Sequence, residues 1–198
     1  MNRYVICITG ASGVIYGVRL IEELLRSGEE ISLVISEPGW RVMAQELDFS
    51  KPRENVEVAV RERFGLGEDD TRLYYYENDD LFAPFCSGSY KTKGVAIIPA
   101  AMATVGALAN GVSINLIERA ADVALKEGRR LVIVPRETPL SLIHLENLAN
   151  LARAGAAIVP AMPAYYTGPK TLNDAIDFVV GKVLDILGIE HDLFERWT

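Results

Sequence analysis

The stretch that decides the fold is RYVICITGASG, residues 3–13. Residues 3–9 are mostly apolar and rich in β-branched side chains, which is typical of a strand buried on both faces. A glycine-rich turn follows at 10–13, and apolar residues then recur at helical spacing over 14–25. A second apolar strand covers 31–35. This strand–turn–helix–strand unit predicts the first half of a doubly wound α/β sheet.

The rest of the chain repeats the alternation of strand and helix. Further strands are predicted at 94–98, 131–135 and 156–160, and helices at 102–110, 113–127, 141–154 and 171–187. Residues 50–85 are charge-rich and without a firm period, and we interpret them as a short excursion with a β-ribbon around Val56–Val60 and Leu73–Tyr76. The pattern predicts one Rossmann-like α/β domain over 1–198: three layers, doubly wound, with a mostly parallel sheet and helices on both faces.

Composition excludes several classes of function. The formal net charge of -7 argues against a nucleic-acid-binding protein, although a local pocket can still bind a phosphate. The N-terminal apolar run is too short to span a bilayer, so we expect no membrane partner. Cys7 and Cys86 indicate reduced thiols in a cytoplasmic protein. With two histidines and no paired ligands at metal-binding spacing, we expect no metal.

Ligands of such sheets bind beyond the carboxyl ends of the strands. The turn at 10–13 opens a helix, so its backbone N–H groups can bind an anion, although a tight turn without a ligand explains it too. Arg136 and Glu137 follow an apolar strand at the same edge, where they could equally cap the next helix. We therefore expect the ligand at this edge of the sheet.

Other candidates have ordinary structural explanations beside the functional ones. Arg119 and Lys126 are seven residues apart on one helix face, which a solvated surface explains equally well. Glu46 follows a helix that starts near residue 38, where a surface position is the default. His144 is expected to be a packed helix residue and His191 an exposed one. Neither has an identifiable serine or cysteine partner for a nucleophilic triad.

Seven segments together resemble the flavin prenyltransferase family (UbiX/Pad1-like), whose members were formerly described as aromatic-acid decarboxylases. They are ITGASGVIYGVRL (8–20), SGS (87–89), RAADV (119–123), LKE (125–127), VPRETPL (134–140), PAYY (163–166) and DLFERW (192–197). The resemblance covers residues 4–197 and is weakest over 50–80. The turn combined with Arg-Glu-Thr-Pro-Leu after a strand is specific, whereas either motif alone is not.

The resemblance implies a Rossmann-like flavoprotein that joins a dimethylallyl group to N5 and C6 of reduced FMN. The donor is dimethylallyl monophosphate or diphosphate, no metal is required, and a UbiD-like decarboxylase receives the prenylated FMN. FMN lies between subunits of a homo-oligomer, often a dodecamer. By similarity, Ser12, Glu46, Glu137 and Lys126 are catalytic. The FMN contacts are Gly10, Ala11, Ser12, Ser36, Ala101, Met102, Ala103, Thr104 and Arg136. The donor phosphate meets Ser87, Arg119, Lys126, Tyr166 and Lys182.

Three departures from the family pattern affect these expectations. Many relatives have a Cys-Ser pair after the Pro99 strand, where this chain has Ala100 and Ala101, so one hydroxyl contact is lost. Lys182 stands where relatives often have arginine, which keeps the charge but not the bidentate fork. The segment 50–85 could reshape an oligomer contact. We expect activity to survive all three.

Two other functions remain open. A flavin-dependent cysteine decarboxylase has the same broad fold, but it relies on a histidine in an early helix, and this chain has none before His144. A non-catalytic FMN-binding or carrier protein would bind FMN and pass it on unchanged. Dimethylallyl phosphate binding discriminates the carrier from a prenyltransferase, because a carrier needs no phosphate pocket.

Overall fold

The computed structural model describes residues 3–67 and 69–197. Its strands are β1 (Arg3–Ile8), β2 (Ile31–Ile35), β3 (Leu73–Tyr76), β4 (Thr92–Ala100), β5 (Leu131–Pro135) and β6 (Ala157–Ile158). Its α-helices are α1 (Val14–Arg26), α2 (Glu37–Leu47), α3 (Val56–Arg63), α4 (Met102–Ala109), α5 (Leu116–Lys126), α6 (Leu142–Arg153) and α7 (Leu172–Leu187). A single 3₁₀ turn covers Pro84–Cys86.

The strands form one parallel sheet in the order β3-β2-β1-β4-β5-β6. Ile6 of β1 pairs with Leu33 on one side and with Ala96 on the other. The chain winds outward from β1 in one direction and from β4 in the other, so the strand order reverses between these two strands. A crevice opens beyond the carboxyl ends of the strands at such a point. The predicted Rossmann-like, three-layer fold is confirmed.

Alternating side chains of the sheet pack into two separate cores. Ile6, Ile8 and Leu33 point to the core that α1, α2 and α7 cover. Val5 and Cys7 point to the opposite core, which α4, α5 and α6 cover. Helices α5 and α7 therefore lie on opposite faces of the sheet.

The β-ribbon predicted within 50–85 does not form, because one of its two predicted strands is a helix. Val56–Val60 belongs to the helix α3, where Val60 is buried and the Arg61 side chain bridges Glu57 one turn earlier at 2.5 Å. Leu73–Tyr76 is a strand, but it pairs in parallel with β2 and extends the main sheet. Tyr74 on this strand lies between the guanidinium groups of Arg3 and Arg61, at 4.4 and 5.2 Å from the ring centre. The segment thus extends the main sheet and carries one of its helices.

The remaining helix predictions agree with the structure to within about three residues. Glu46 is an exception in detail, because it lies within the last turn of α2 and not after the helix. None of the described helices combines the length and the apolar composition that crossing a bilayer requires. Within residues 3–67 and 69–197, no three His, Cys, Asp or Glu side chains are grouped so that they could bind a metal ion.

Candidate functional site

Thr9 follows β1 and joins it to the end of β4 at the crevice between these two strands. Its buried hydroxyl donates to the carbonyl oxygen of Pro99 at 2.8 Å and accepts from the N–H of Ala101 at 2.7 Å. The N–H of Thr9 also donates to Pro99 at 3.2 Å. These bonds join the ends of β1 and β4, so the segments that leave the two strands keep a fixed spacing.

The turn 10–13 is shaped by close packing and by one carboxylate. A Cβ atom on Gly10 would lie 2.4 Å from Cβ of Pro38, so only glycine fits against the start of α2. Gly13 has φ 98°, a left-handed conformation that favours glycine. The Glu46 carboxylate accepts from the N–H groups of Gly13 at 2.9 Å and Val14 at 3.3 Å. Glu46 therefore caps α1, where the helix dipole favours negative charge.

Arg136 contacts the same turn from β5. Its Nε donates to the carbonyl oxygen of Ser12 at 2.9 Å. The Tyr16 ring also lies close to Gly13; burial raises the pKa of Tyr16, and the positive charge of Arg136 partly opposes this rise. Glu137 is exposed, and its carboxylate accepts from the N–H of Thr138 at 3.0 Å. Ser12 is also exposed, and the next residue, Gly13, donates its N–H to Glu46.

The segment after β4 offers open backbone donors. Ala101 is the N-cap of α4 and has no side chain that could cap the helix. The first α-helical bond here joins the N–H of Val105 to the carbonyl oxygen of Ala101, so the N–H groups of Met102, Ala103 and Thr104 precede it without an intrahelical partner. A helix start with free N–H groups is suited to bind a phosphate group.

Ser36 has a structural task that the sequence did not indicate. Its hydroxyl oxygen accepts from the N–H of Gly39 at 3.1 Å and caps α2. The hydroxyl hydrogen of Ser36 remains available to a ligand. Ser36 is half-buried at the end of β2, beside the strand that carries the turn.

Three of the predicted phosphate ligands lie along α5. Arg119 donates to the carbonyl oxygen of Ser113 at 3.3 Å, and Lys126 lies 3.6 Å from the Glu127 carboxylate. A Cβ atom on Gly88 would lie 2.2 Å from that carboxylate, so the loop carrying Ser87 packs on the end of this helix. Arg119 and Lys126 are seven residues apart on α5, so they lie about 10 Å apart along the helix on nearly the same face.

Of the other two predicted phosphate ligands, Lys182 belongs to α7 and Tyr166 packs against that helix. The Tyr166 ring stacks edge-on against Phe178 and Trp197, with ring centres 6.0 and 5.5 Å apart. Lys182 lies over the ring of Phe194 at 5.8 Å, and Phe194 contacts Phe178. Tyr166 and Lys182 therefore belong to one aromatic cluster.

Within one chain, the five phosphate ligands do not converge. Arg119, Lys126 and Ser87 belong to the face that α5 covers, whereas Tyr166 and Lys182 belong to the face that α7 covers. Lys126 also lies at the end of α5 that leads into the start of β5, whereas Arg136 follows the carboxyl end of that strand. The chain alone brings together Ser12, Glu46 and Arg136, but not the phosphate ligands with them.

Several residues near the site were not predicted from the sequence. Thr9 links β1 to β4, Tyr16 flanks the turn, and Trp197 packs on Tyr166. Asp185 accepts from both Lys182 and Arg196. Thr9 and Tyr16 are part of the quoted motif at 8–20, so their position beside the turn was a usable signal. Lys182 and Asp185 are three residues apart on α7, so helical spacing was a usable signal for that pair. The contact of Arg196 with Asp185 and that of Trp197 with Tyr166 join separate segments, where no periodicity predicts a contact.

Known proteins share both the sequence and the fold. The Flavoprotein family model matches residues 1–185. A curated relative from Halalkalibacterium halodurans, the flavin prenyltransferase UbiX, is 52% identical over 194 residues, which are 98% of this chain and 92% of that protein. The crystal structure of AnUbiX (PadA1) in complex with FMN and dimethylallyl pyrophosphate is 38% identical, with a TM-score of 0.87, and the match covers 100% of this chain and 97% of that one.

A dodecameric FMN-dependent UbiX-like decarboxylase from Escherichia coli O157:H7 also matches, at 38% identity and a TM-score of 0.86. The match covers 99% of both chains. The similar structures therefore include a dodecamer and a complex with FMN and dimethylallyl pyrophosphate.

Proposed function

The chain belongs to the flavin prenyltransferase family, and we propose that it joins a dimethylallyl group from dimethylallyl phosphate to N5 and C6 of reduced FMN. The observation that carries the proposal is the turn 10–13, held between the Glu46 carboxylate and the Arg136 guanidinium. This arrangement supplies backbone donors, a carboxylate and a cation at the crevice where sheets of this topology bind ligands. The products are prenylated FMN and phosphate.

The residues at the β1/β4 crevice fit FMN. The free N–H groups at the start of α4 suit its phosphate, and they replace the hydroxyl that Ala101 lacks. The residues that would hold FMN are Gly10, Ala11, Ser12, Ser36, Ala101, Met102, Ala103, Thr104 and Arg136. Reduced FMN supplies the nucleophilic nitrogen that accepts the prenyl group.

The carboxylates would move protons near the acceptor. Two backbone N–H groups fix Glu46 beside Ser12, so the pair can hold or transfer a proton at a defined place. Glu137 extends this polar edge from β5. When the carbon–oxygen bond of the donor breaks, its electron pair leaves with the phosphate, and cations around the phosphate stabilise that charge.

We propose that the cations come from more than one copy of the chain. Arg119 and Lys126 lie on the opposite face of the sheet from Tyr166 and Lys182, so a site that uses all four needs a homo-oligomer. The dodecameric relative supports this proposal. We propose further that the enzyme works in the cytoplasm, consistent with the free thiols of Cys7 and Cys86, and that a UbiD-like decarboxylase receives its product.

The alternatives are not favoured. Helices α1 and α2 carry no histidine, which a cysteine decarboxylase of this fold class would need. A simple FMN carrier would not need the cationic surface of Arg119 and Lys126. Neither alternative accounts for the flavin prenyltransferases among the relatives.

Anaerobic incubation with reduced FMN and dimethylallyl monophosphate, followed by mass analysis of the released flavin, tests the function. We expect FMN to gain one C5H8 unit with wild type and with Glu62→Gln, an exposed carboxylate of α3. We expect no gain with Glu46→Gln or with Lys126→Ala. Unmodified FMN from wild type, with monophosphate and diphosphate donors alike, would favour the carrier.

The two inactive variants also test the shared site. Copies of Glu46→Gln and Lys126→Ala are unfolded and refolded together, so that they assemble at random. If Glu46 and Lys126 of one site come from different chains, about a quarter of the sites regain both residues and activity returns. If one chain supplied both, the mixture would stay inactive.

A further inference from the structure

The C-terminal segment, defined here as residues 189–197, runs back along helix α7. Its most buried side chain is His191, of which 1% is exposed. The segment ends with Trp197 on the ring of Tyr166. It therefore connects the core of α7 to a residue assigned to the prenyl donor.

The C-terminal segment packs on helix α7 at Gly181, which has no side chain. A Cβ atom on Gly181 would lie 2.5 Å from Cε1 of Phe194 and 2.6 Å from Cε1 of His191. A glycine inside a helix costs about 1 kcal/mol relative to alanine. The close seating of two rings of the segment gives this glycine a structural reason.

His191 joins the segment to the helix through both ring nitrogens. Nδ1 accepts from the N–H of Leu193 at 3.2 Å, so it carries no hydrogen. Nε2 then carries the hydrogen and donates to the Asp185 carboxylate at 3.2 Å. The imidazole is thus neutral in this arrangement, with one bond within the segment and one to α7.

Asp185 links His191 to Lys182 through hydrogen bonds. Its carboxylate accepts from Lys182 at 3.4 Å and from Arg196 at 2.8 Å. Burial acts to raise the pKa of Asp185, but the hydrogen bond and charge of Arg196 and the hydrogen bond of Lys182 oppose this rise, and the pKa lies below its ordinary value. Both cations also lie near the ring of Phe194, Lys182 at 5.8 Å and Arg196 at 5.6 Å from its centre.

We propose that His191 is a positioning residue for the prenyl donor. It fixes the C-terminal segment on α7 and, through Asp185 and Phe194, sets the place of Lys182, while Trp197 of the same segment braces Tyr166. This role rests on the proposed function, because Tyr166 and Lys182 are assigned to the donor phosphate there. The side chain of His191 is itself buried, so it acts through its neighbours.

Substitution of His191 removes no charge, so a changed affinity for the donor reports position rather than electrostatics. We expect His191→Ala to raise KM for dimethylallyl phosphate at least tenfold while kcat and the Kd of FMN change less than about threefold. His191→Asn should restore part of the loss, because its side-chain oxygen can accept from the N–H of Leu193. Val183→Ala is the control, a buried truncation on the side of α7 opposite Gly181.

A second variant and a second measurement distinguish the proposed positioning role from simple misfolding. Gly181→Ala keeps the imidazole but fills the space on α7 in which it packs. We expect this variant to raise the KM for dimethylallyl phosphate, although alanine is the better helix former. Hydrogen exchange of the Leu193 amide should become faster in His191→Ala and in Gly181→Ala. It should stay unchanged in Val183→Ala.

The outcomes separate the two proposals. If wild type prenylates FMN and both His191→Ala and Gly181→Ala keep the donor KM within twofold of Val183→Ala, the positioning role is overturned and the function stands. If wild type forms no prenylated FMN with either donor, the proposed function fails, and the positioning role fails with it.

Discussion

Substitution of Gly10 by alanine tests whether the turn 10–13 depends on close packing. The new Cβ would lie 2.4 Å from Cβ and 3.3 Å from the carbonyl carbon of Pro38. Carbon atoms pack best at about 3.5–4.0 Å, so the turn and the start of α2 must separate by about 1 Å. Because part of the obstacle is backbone, a change of rotamer cannot relieve it.

Overpacking of this kind costs about 1–3 kcal/mol. For a chain of 198 residues, a cost of about 2 kcal/mol lowers Tm by about 4–8 °C. A shift of about 1 Å also exceeds the tolerance of a hydrogen bond, so we expect FMN to bind at least tenfold more weakly. Thermal unfolding without flavin and a fluorescence titration with FMN measure the two effects separately.

Gly67→Ala is the matched control. A Cβ at Gly67 meets nothing within 4 Å, and Gly67 is not among the glycines with positive φ. We expect Gly67→Ala to leave FMN affinity unchanged and to leave Tm equal or slightly higher. If Gly10→Ala unfolds at the wild-type temperature and binds FMN as tightly, the assigned packing is incorrect.

Three further predictions concern single side chains. Glu46→Gln should abolish prenylation in the mass assay yet lower the free energy of unfolding by less than about 1 kcal/mol, because the amide oxygen can still cap α1; a larger loss in urea unfolding would contradict this. Val60→Ala should cost about 2 kcal/mol in the same measurement, since Val60 anchors α3, and no cost would refute its burial. The folded-state pKa of Asp185 is lowered, so its stabilisation is present above its unfolded pKa and disappears as the pH falls through the folded one. The stability gap between wild type and Asp185→Asn should therefore shrink below about pH 4, and a gap that stays constant down to pH 2 would exclude this ionic role.

Much of the fold follows from local pattern. Continuous apolar runs such as 31–35 and 131–135 predict strands buried on both faces, and the structure confirms them. The sequence VEVAV at 56–60 has valine at every second position, which favours a strand, yet it forms a helix. Two periods compete in so short a segment, and the Glu57–Arg61 pair and the burial of Val60 decide for the helix.

The site was predictable where its residues follow strands of the sheet, because the carboxyl ends of parallel strands share one edge. The turn 10–13 and Arg136 follow β1 and β5 at that edge, and they meet there. The burial of His191 was not predictable, and the expectation that it is exposed is wrong, because its seat depends on the absence of a side chain at Gly181. His144 is a helix residue as expected, and it also caps α6 together with Ser141.

The placement of Arg119 and Lys126 on the opposite face from Tyr166 and Lys182 has a genetic consequence under the shared-site proposal. Each chain contributes its own Lys126 and its own Glu46, so a Lys126 variant co-expressed with a normal copy should leave about half of the sites active, the same share as an allele that makes no folded protein. Two different defective alleles, one altered at Glu46 and one at Lys126, should complement each other in one cell, because mixed assemblies contain sites with both normal residues. Two alleles altered at the same residue should not complement each other.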